Sequence, residues 1–338
     1  MTTELYPDDY FGGRDKIPPN YNIVERRWLI DEIIKPELPN IIDNVEKCLE
    51  LLRSDQSFKM PISNGASNDV DTPSVRGIIT RQRGFIIDFQ AIVKFPQFHR
   101  GKAVMYKMDP DTKFPLLQIN SITANLSEAL NLLDSLQVQQ DTDKFILEMG
   151  KILGLLTRSI NFLQNPPREL VFPENNNNAI KKMFSYPNEL CESTHHLMSL
   201  ELVIFRNEIS IDFRNLAKIT TRPWCDIDQE TGKSFTDVVR DKLKTERGKK
   251  LVDILKEQGL NVEEPSLLRN FFNTNPETTT LAQAQEILAR CVTFDSKLVS
   301  ECEKISITTS DPSLISISSK LNGLENCIGT YYTNLELA

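Results

Sequence analysis

Histidine is scarce in this chain: His99, His195 and His196 are the only three among 338 residues, and none stands at the spacing of a metal site. His195 and His196 are neighbours at the start of a strand-like run, where adjacent side chains point to opposite faces, so a solvated or cross-strand role is expected rather than ligation. No Cys-x-x-Cys or His-Glu-x-x-His spacing occurs, which leaves zinc chemistry without a ligand set. Gly150-Lys151 falls inside a helical pattern with no glycine loop before it, and Gly12-Gly13-Arg14 follows no strand, so neither cradles a phosphate. The six cysteines, Cys48, Cys191, Cys225, Cys291, Cys302 and Cys327, show no close pairing and read as reduced small hydrophobes of a cytosolic protein.

Long apolar runs are missing as well. None approaches the roughly 20 residues of a membrane span, and the opening MTTELYPDDYFGGRDKIPPNY has no apolar core of the kind a secretory signal needs. The expected location is cytoplasmic, with any membrane association peripheral. Positive charge is in deficit: 39 Lys and Arg against 47 Asp and Glu leave a net charge of -8. That speaks against nucleic-acid binding, which rests on cations neutralising phosphates. Carboxylates are plentiful, yet no pair sits in an apolar setting that would split two pKa values for acid and base work. Trp224-Cys225-Asp226 comes nearest to chemistry, because Arg222 lies close enough to activate the thiol, but packing is the plainer reading. No catalytic, cofactor-binding or metal-binding residue is expected, and the sequence leaves the partner-binding residues unknown.

What the chain has is helical periodicity. Ile119, Ile122, Leu126, Ala129, Leu133 and Leu136 recur at spacings of three and four, a one-sided seam. Gln139 to Asp143 breaks the pattern, with Asp141 as N-cap and Asp143 in the positively polarised first turn that follows. Phe145, Met149, Ile152, Leu156, Ile160 and Leu163 then repeat the seam until Pro166-Pro167 stops it. A hairpin of two such helices needs further helices to bury both stripes. Leu38, Ile42, Val45, Leu49 and Leu52 supply one, with a break expected near Lys35 to Leu38 from Pro36 and Pro39. Leu281 to Ile305 reads as another, through Ala284, Leu288, Cys291, Phe294, Leu298, Cys302 and Ile305. Leu314, Ile317, Leu321, Leu324, Ile328, Tyr331 and Leu335 give a last one.

Period two marks the strands. Val75 to Thr80, Phe85 to Phe95 and Ala103 to Met108 form a meander, whose middle strand alternates Phe85, Ile87, Phe89, Ala91, Val93 and Phe95 with Ile86, Asp88, Gln90, Ile92 and Lys94 and reads as half-buried. His196 to Phe205 and Glu208 to Phe213 form a second pair turning at Arg206-Asn207, and the two sets are expected to share one sheet. Ala179 to Phe184 is a short helix, and Ser54 to Thr72 reads as a loop. The fold class is α+β with interleaved domains. The helical bundle takes 23–56, 117–166 and 281–338, and the β domain takes 57–116 and 167–225. Residues 226–280 form a charged surface insertion carrying a helix from Phe235 to Gln258, and 1–22 form a disordered tail. In that tail Tyr6, Tyr10 and Phe11 amid Asp8 and Asp9 have the make-up of a short docking motif.

Several stretches resemble the Rogdi family: Glu25-Arg26-Arg27-Trp28-Leu29, Val75-Arg76-Gly77-Ile78-Ile79-Thr80, Leu117-Gln118-Ile119, and Phe172-Pro173-Glu174 before Met183-Phe184. The resemblance covers roughly 25–220 and 281–305, most nearly with fungal members. It implies an elongated, non-catalytic subunit of the RAVE complex, the regulator of the ATPase of vacuolar and endosomal membranes. In that role the chain acts beside a large β-propeller-bearing subunit and an adaptor shared with ubiquitin ligases. It helps return the peripheral catalytic sector and C subunit of the vacuolar proton pump to the membrane sector when glucose returns. Pro36, Pro39, residues 222–280 and the helix after Asp311 depart from the wider family and inherit nothing from it. The alternative is a coiled-coil type adaptor unrelated to the pump, pairing through Leu314 to Leu335.

Overall fold

The computed structural model describes residues 21–65, 72–186, 191–260, 262–263 and 279–338. The chain divides into two compact units, and it passes back and forth between them. The fold is α+β.

The first unit takes Leu117–Asn165, Asp311–Ala338 and the described part of Met1–Gln56. It opens with α1 (Tyr21–Trp28), a π-helical turn (Leu29–Ile34) and α2 (Lys35–Arg53). The irregularity therefore comes one turn earlier than the expected break at Lys35 to Leu38. In the π turn the amide of Lys35 reaches back five residues to the carbonyl of Ile30. The extra residue widens the helix just where Pro36 cannot donate, and Pro39 is then carried inside α2 without a break. The expected tail, 1–22, lies outside the described residues except for Tyr21 and Asn22, which begin α1.

α3 (Leu117–Val138) and α4 (Thr142–Gln164) form the hairpin, and α9 (Pro312–Leu337) closes the bundle. Asp141 caps α4 by accepting from the amides of Asp143 and Lys144 at 3.1 and 3.2 Å. Asp311 caps α9 through Ser313 and Leu314, with Pro312 in the first turn, where its missing donor costs nothing. α2 packs on α3 and α9, and α4 packs on the same two. The seams are buried at Leu38, Ile41, Val45, Leu49 and Leu52 on α2, Ile41 replacing Ile42; at Ile119 to Leu136 on α3; at Phe145, Met149, Ile152, Leu156 and Leu163 on α4; and at Leu314, Ile317, Leu321, Leu324, Ile328 and Leu335 on α9, while Ile160 and Tyr331 are half-buried. Burying such a side chain is worth roughly 1.5–3 kcal/mol.

The second unit takes Ser57–Leu116 and Pro166–Ser310, and it holds two antiparallel sheets rather than the single sheet expected. One sheet runs β1 (Ser57–Ser63), β2 (Ser74–Gln82), β3 (Phe85–Lys94), β4 (Val104–Lys107), with β5 (Phe114–Pro115) also on β3. β1 occupies part of the expected loop; Pro61 is tolerated because β1 is an edge strand. After the short helix α5 (Asn178–Met183), the second sheet begins with β6 (His196–Phe205) and β7 (Glu208–Lys218). Its inner face meets the first sheet and α5 through Phe89, Tyr106, Phe184 and Phe213, whose ring centroids lie 5.6–6.3 Å apart.

The expected helix Leu281 to Ile305 is a further correction. Only α8 (Leu281–Arg290) is helical; β10 (Cys291–Phe294) and β11 (Lys297–Ser310) follow and complete the second sheet in the order β10-β11-β7-β6. Val292, Thr293, Val299, Ile305, Ile307, Thr308 and Thr309 are β-branched and suit a pleated surface. Asp295 and Ser296, both at positive φ, reverse the chain. Residues 281–310 thus belong with the sheets and not with the bundle.

The expected helix from Phe235 to Gln258 is two helices, α6 (Phe235–Thr245) and α7 (Leu251–Glu257), and it is no surface appendage. Val239, Ile254 and Leu255 are buried with Trp224, Leu260, Ala284, Cys291 and Leu298 in one core. Between these elements, β8 (Val262–Glu263) and β9 (Thr279–Thr280) form a short parallel pair.

Candidate partner-binding surface

The residues that came nearest to chemistry are engaged elsewhere. The ring of His196 meets the side-chain oxygen of Asn215 at 3.0 Å across the β6–β7 hairpin. Asn215 in turn donates to Glu303 at 2.7 Å, and the amide of Gln97 donates to the same carboxylate at 3.3 Å. This is the cross-strand role expected of the histidine pair; the carbonyl of His195 accepts from the Lys218 amide. His99 lies exposed in a turn, its ring against Phe98. Arg222 pairs with Asp226 at 3.4 Å. Trp224 is fully buried against Phe235, and Cys225 lies half-buried at the margin of that core. Gly150 packs beneath the ring of Tyr332 in the middle of α4. Among the described residues no group of three or more His, Cys, Asp or Glu is placed to hold a metal ion. All six cysteines are free, and burial pushes the thiols of Cys48 and Cys191 up to about 11 and about 12.

A cluster of buried and half-buried charges lies on the second sheet. Arg214 reaches Glu201 at 3.2 Å, Asp212 at 2.7 Å and Glu301 at 3.2 Å, and Lys304 reaches Asp212 at 2.9 Å. The Arg214 guanidinium also stacks 4.9 Å from the ring centre of Phe172, whose amide donates to Glu201 at 2.6 Å. Burial raises the pKa of Glu201, outweighing the attraction of Arg214. At one end of the same sheet Glu192 accepts from Lys218 at 2.5 Å and Lys297 at 2.6 Å, and both bonds lower its pKa. These charges are satisfied by one another. They fasten the Phe172 segment and the ends of β7 and β11, and they present no free acid and base.

What remains open is apolar surface. On α1, Ile23, Val24 and Trp28 are 63, 65 and 53% exposed, and Val24 and Trp28, four residues apart, share a helix face. The helix turns inward only at Ile30 and Ile34. The Nε of Arg26 is buried beside the stripe without a hydrogen-bond partner among the described residues. Asp31, held between Arg27 at 3.7 Å and Lys35 at 2.9 Å, has its pKa lowered chiefly by the Lys35 bond. Trp and Arg are the side chains most enriched at binding hot spots, and an apolar helix face is suited to a groove on another protein. In the sequence Trp28 stands only within the stretch that resembles the family, and the four-residue spacing of Val24 and Trp28 is the mark that could have pointed to this face. By contrast the Leu314 to Leu335 seam is already occupied, since α9 buries it against α2 and α4.

Residues 25–336 match the model of a family described as Rogdi leucine zipper containing protein. The chain is also 49% identical, over 341 aligned residues, to the Saccharomyces cerevisiae protein named Regulator of V-ATPase in vacuolar membrane protein 2. That alignment covers 99% of this chain and 97% of the yeast protein.

Proposed function

Because this chain belongs to the Rogdi leucine zipper family, we propose that it regulates the vacuolar proton-translocating ATPase as a non-catalytic subunit of a RAVE complex. The observation that carries this reading is the 49% identity to the yeast regulator over almost the whole of both chains. Both units of the fold lie within that match, so the binding surfaces of each are candidates for the same role. In this role the chain works in the cytoplasm and is recruited peripherally to vacuolar or early endosomal membranes. With a large β-propeller-bearing subunit and an adaptor shared with ubiquitin ligases, it helps bring the peripheral sector and C subunit onto the membrane sector. The exposed face of α1 supports a contact-making role and is the first surface to assign to a partner. No helix among the described residues is long and apolar enough to cross a membrane, which accords with recruitment through partners. A coiled-coil adaptor pairing through the Leu314 to Leu335 seam is disfavoured, because the bundle would have to open to release it.

The test is replacement of the yeast relative by this chain. Cells that lack the relative and carry this chain are expected to acidify their vacuoles and, after glucose is restored, to recover the peripheral sector and C subunit on vacuolar membranes. Affinity purification from glucose-starved cells should bring down the propeller-bearing subunit and peripheral pump subunits. Failure to restore acidification, with the chain expressed and recovered without pump or RAVE components, would overturn the reading.

A further inference from the structure

The outer face of the first sheet carries a second open patch of different character. Register across the strands sets Arg76, Ile92 and Met105 in one row and Ile78 and Lys107 in the next, with Lys59 beyond on β1. Ile78, Ile92 and Met105 are 36, 38 and 48% exposed, although the opposite face of the same strands is buried. Lys59, Arg76 and Lys107 are exposed around them and form no ion pair among the described residues. The one carboxylate on these rows, Asp88, is half-buried and accepts from Gln90 on its own strand. In a chain of net charge -8 this face is locally cationic.

We propose that this sheet face docks an acidic segment of a partner protein, one whose carboxylates meet Lys59, Arg76 and Lys107 while a large apolar side chain covers Ile78, Ile92 and Met105. Charge complementarity names the sign of the partner. The layout favours a protein over an anionic membrane. The apolar side chains are half sunk among their neighbours on rigid strands, so they form a flat apolar centre within a charged rim instead of a wedge that could enter a bilayer. The proposal stands independently of the pump, because it rests on this surface alone.

A photo-crosslinking side chain placed at position 92 of the full chain in yeast cells (Ile92→p-benzoylphenylalanine) tests it, with each crosslink mapped to a peptide. The expected product joins position 92 to an Asp- and Glu-rich segment of a second protein. Its yield should fall at least tenfold when Arg76→Glu and Lys107→Glu are combined, with the melting curve of the chain unchanged. Should the reversal unfold the sheet, the neutral pair Arg76→Gln and Lys107→Gln carries the same test, with a fall of about threefold. Crosslinks to lipid, to residues 1–20 of this chain or to a segment without acidic residues would each overturn the proposal. So would a yield that ignores the charge changes, or no product at position 92 while the same side chain at position 28 crosslinks.

Discussion

Gly77 shows how little room single residues have. A Cβ there would stand 2.0 Å from the carbonyl oxygen of Gln90 on the neighbouring strand, so Gly77→Ala must move backbone. It is expected to lower stability by about 2–3 kcal/mol, as overpacking does, read as a drop in the denaturation midpoint of the sheet unit. Asp141→Ala removes two accepted hydrogen bonds at the start of α4 and should cost about 1 kcal/mol, measured the same way on the bundle. The two glutamates respond to pH in opposite senses. The pKa of Glu192 is lowered in the fold, so its contribution is present above the usual glutamate value of 4.5 and is lost as pH falls through the folded value. The pKa of Glu201 is raised, so the fold holds its proton more tightly than the unfolded chain does, and stability declines as pH rises through the folded value. Chemical denaturation at stepped pH should therefore show Glu192→Gln with a shallower acid limb, and Glu201→Gln with the opposite change of slope. Equal slopes in all three proteins would show that neither carboxylate is linked to folding.

At the scale of elements, the β10–β11 hairpin and the π turn make the sharpest expectations. Asp295 and Ser296 hold φ of 50 and 58°, where a side chain costs roughly 1–2 kcal/mol per residue. Ser296→Gly should raise stability by about 1 kcal/mol, and Ser296→Val should lower it; denaturant midpoints decide. The π turn sets the phase of α1. Deleting Ile33 would restore an ordinary helical repeat and turn the face of Val24 and Trp28 by about 100°. On the proposed reading, with the α1 face as a contact for the propeller-bearing subunit, co-purification of that subunit should fall at least tenfold, and retained capture by a folded bundle would remove α1 as that contact. The hairpin of α3 and α4 was legible in the sequence because its seam residues are buried by other helices of the same kind and its turn carries its own cap. β11 was not, because Cys291, Phe294, Leu298, Cys302 and Ile305 happen to fall at helical spacing, and the turn before it uses Asp-Ser where glycine or asparagine would have announced a reversal. The open surfaces left fainter marks: an isoleucine at 92 on the polar side of an alternating strand, and a valine and tryptophan four residues apart ahead of the first buried turn.

For the molecule as a whole, the path of the chain matters more than either unit. Ending the chain at Ser310 would remove α9 and with it six buried seam residues. At roughly 1.5–3 kcal/mol each, they exceed what a bundle of this size holds in reserve, so the shortened protein should show no cooperative melting of the helical unit by circular dichroism. The boundaries after Gln56, Leu116, Asn165 and Ser310 mean that the chain crosses between the units four times: the bundle draws on both ends of the chain, whereas the stretch 57–310 contains the whole of the sheet unit. For the geneticist the two units therefore differ in what a truncation does to them. Stop codons before Ser310 should behave as null alleles, stops in the first turns of α9 should abolish the contacts of the bundle while sparing those of the sheet unit, and alleles that separate one contact from another should be found there and among missense changes on the surface.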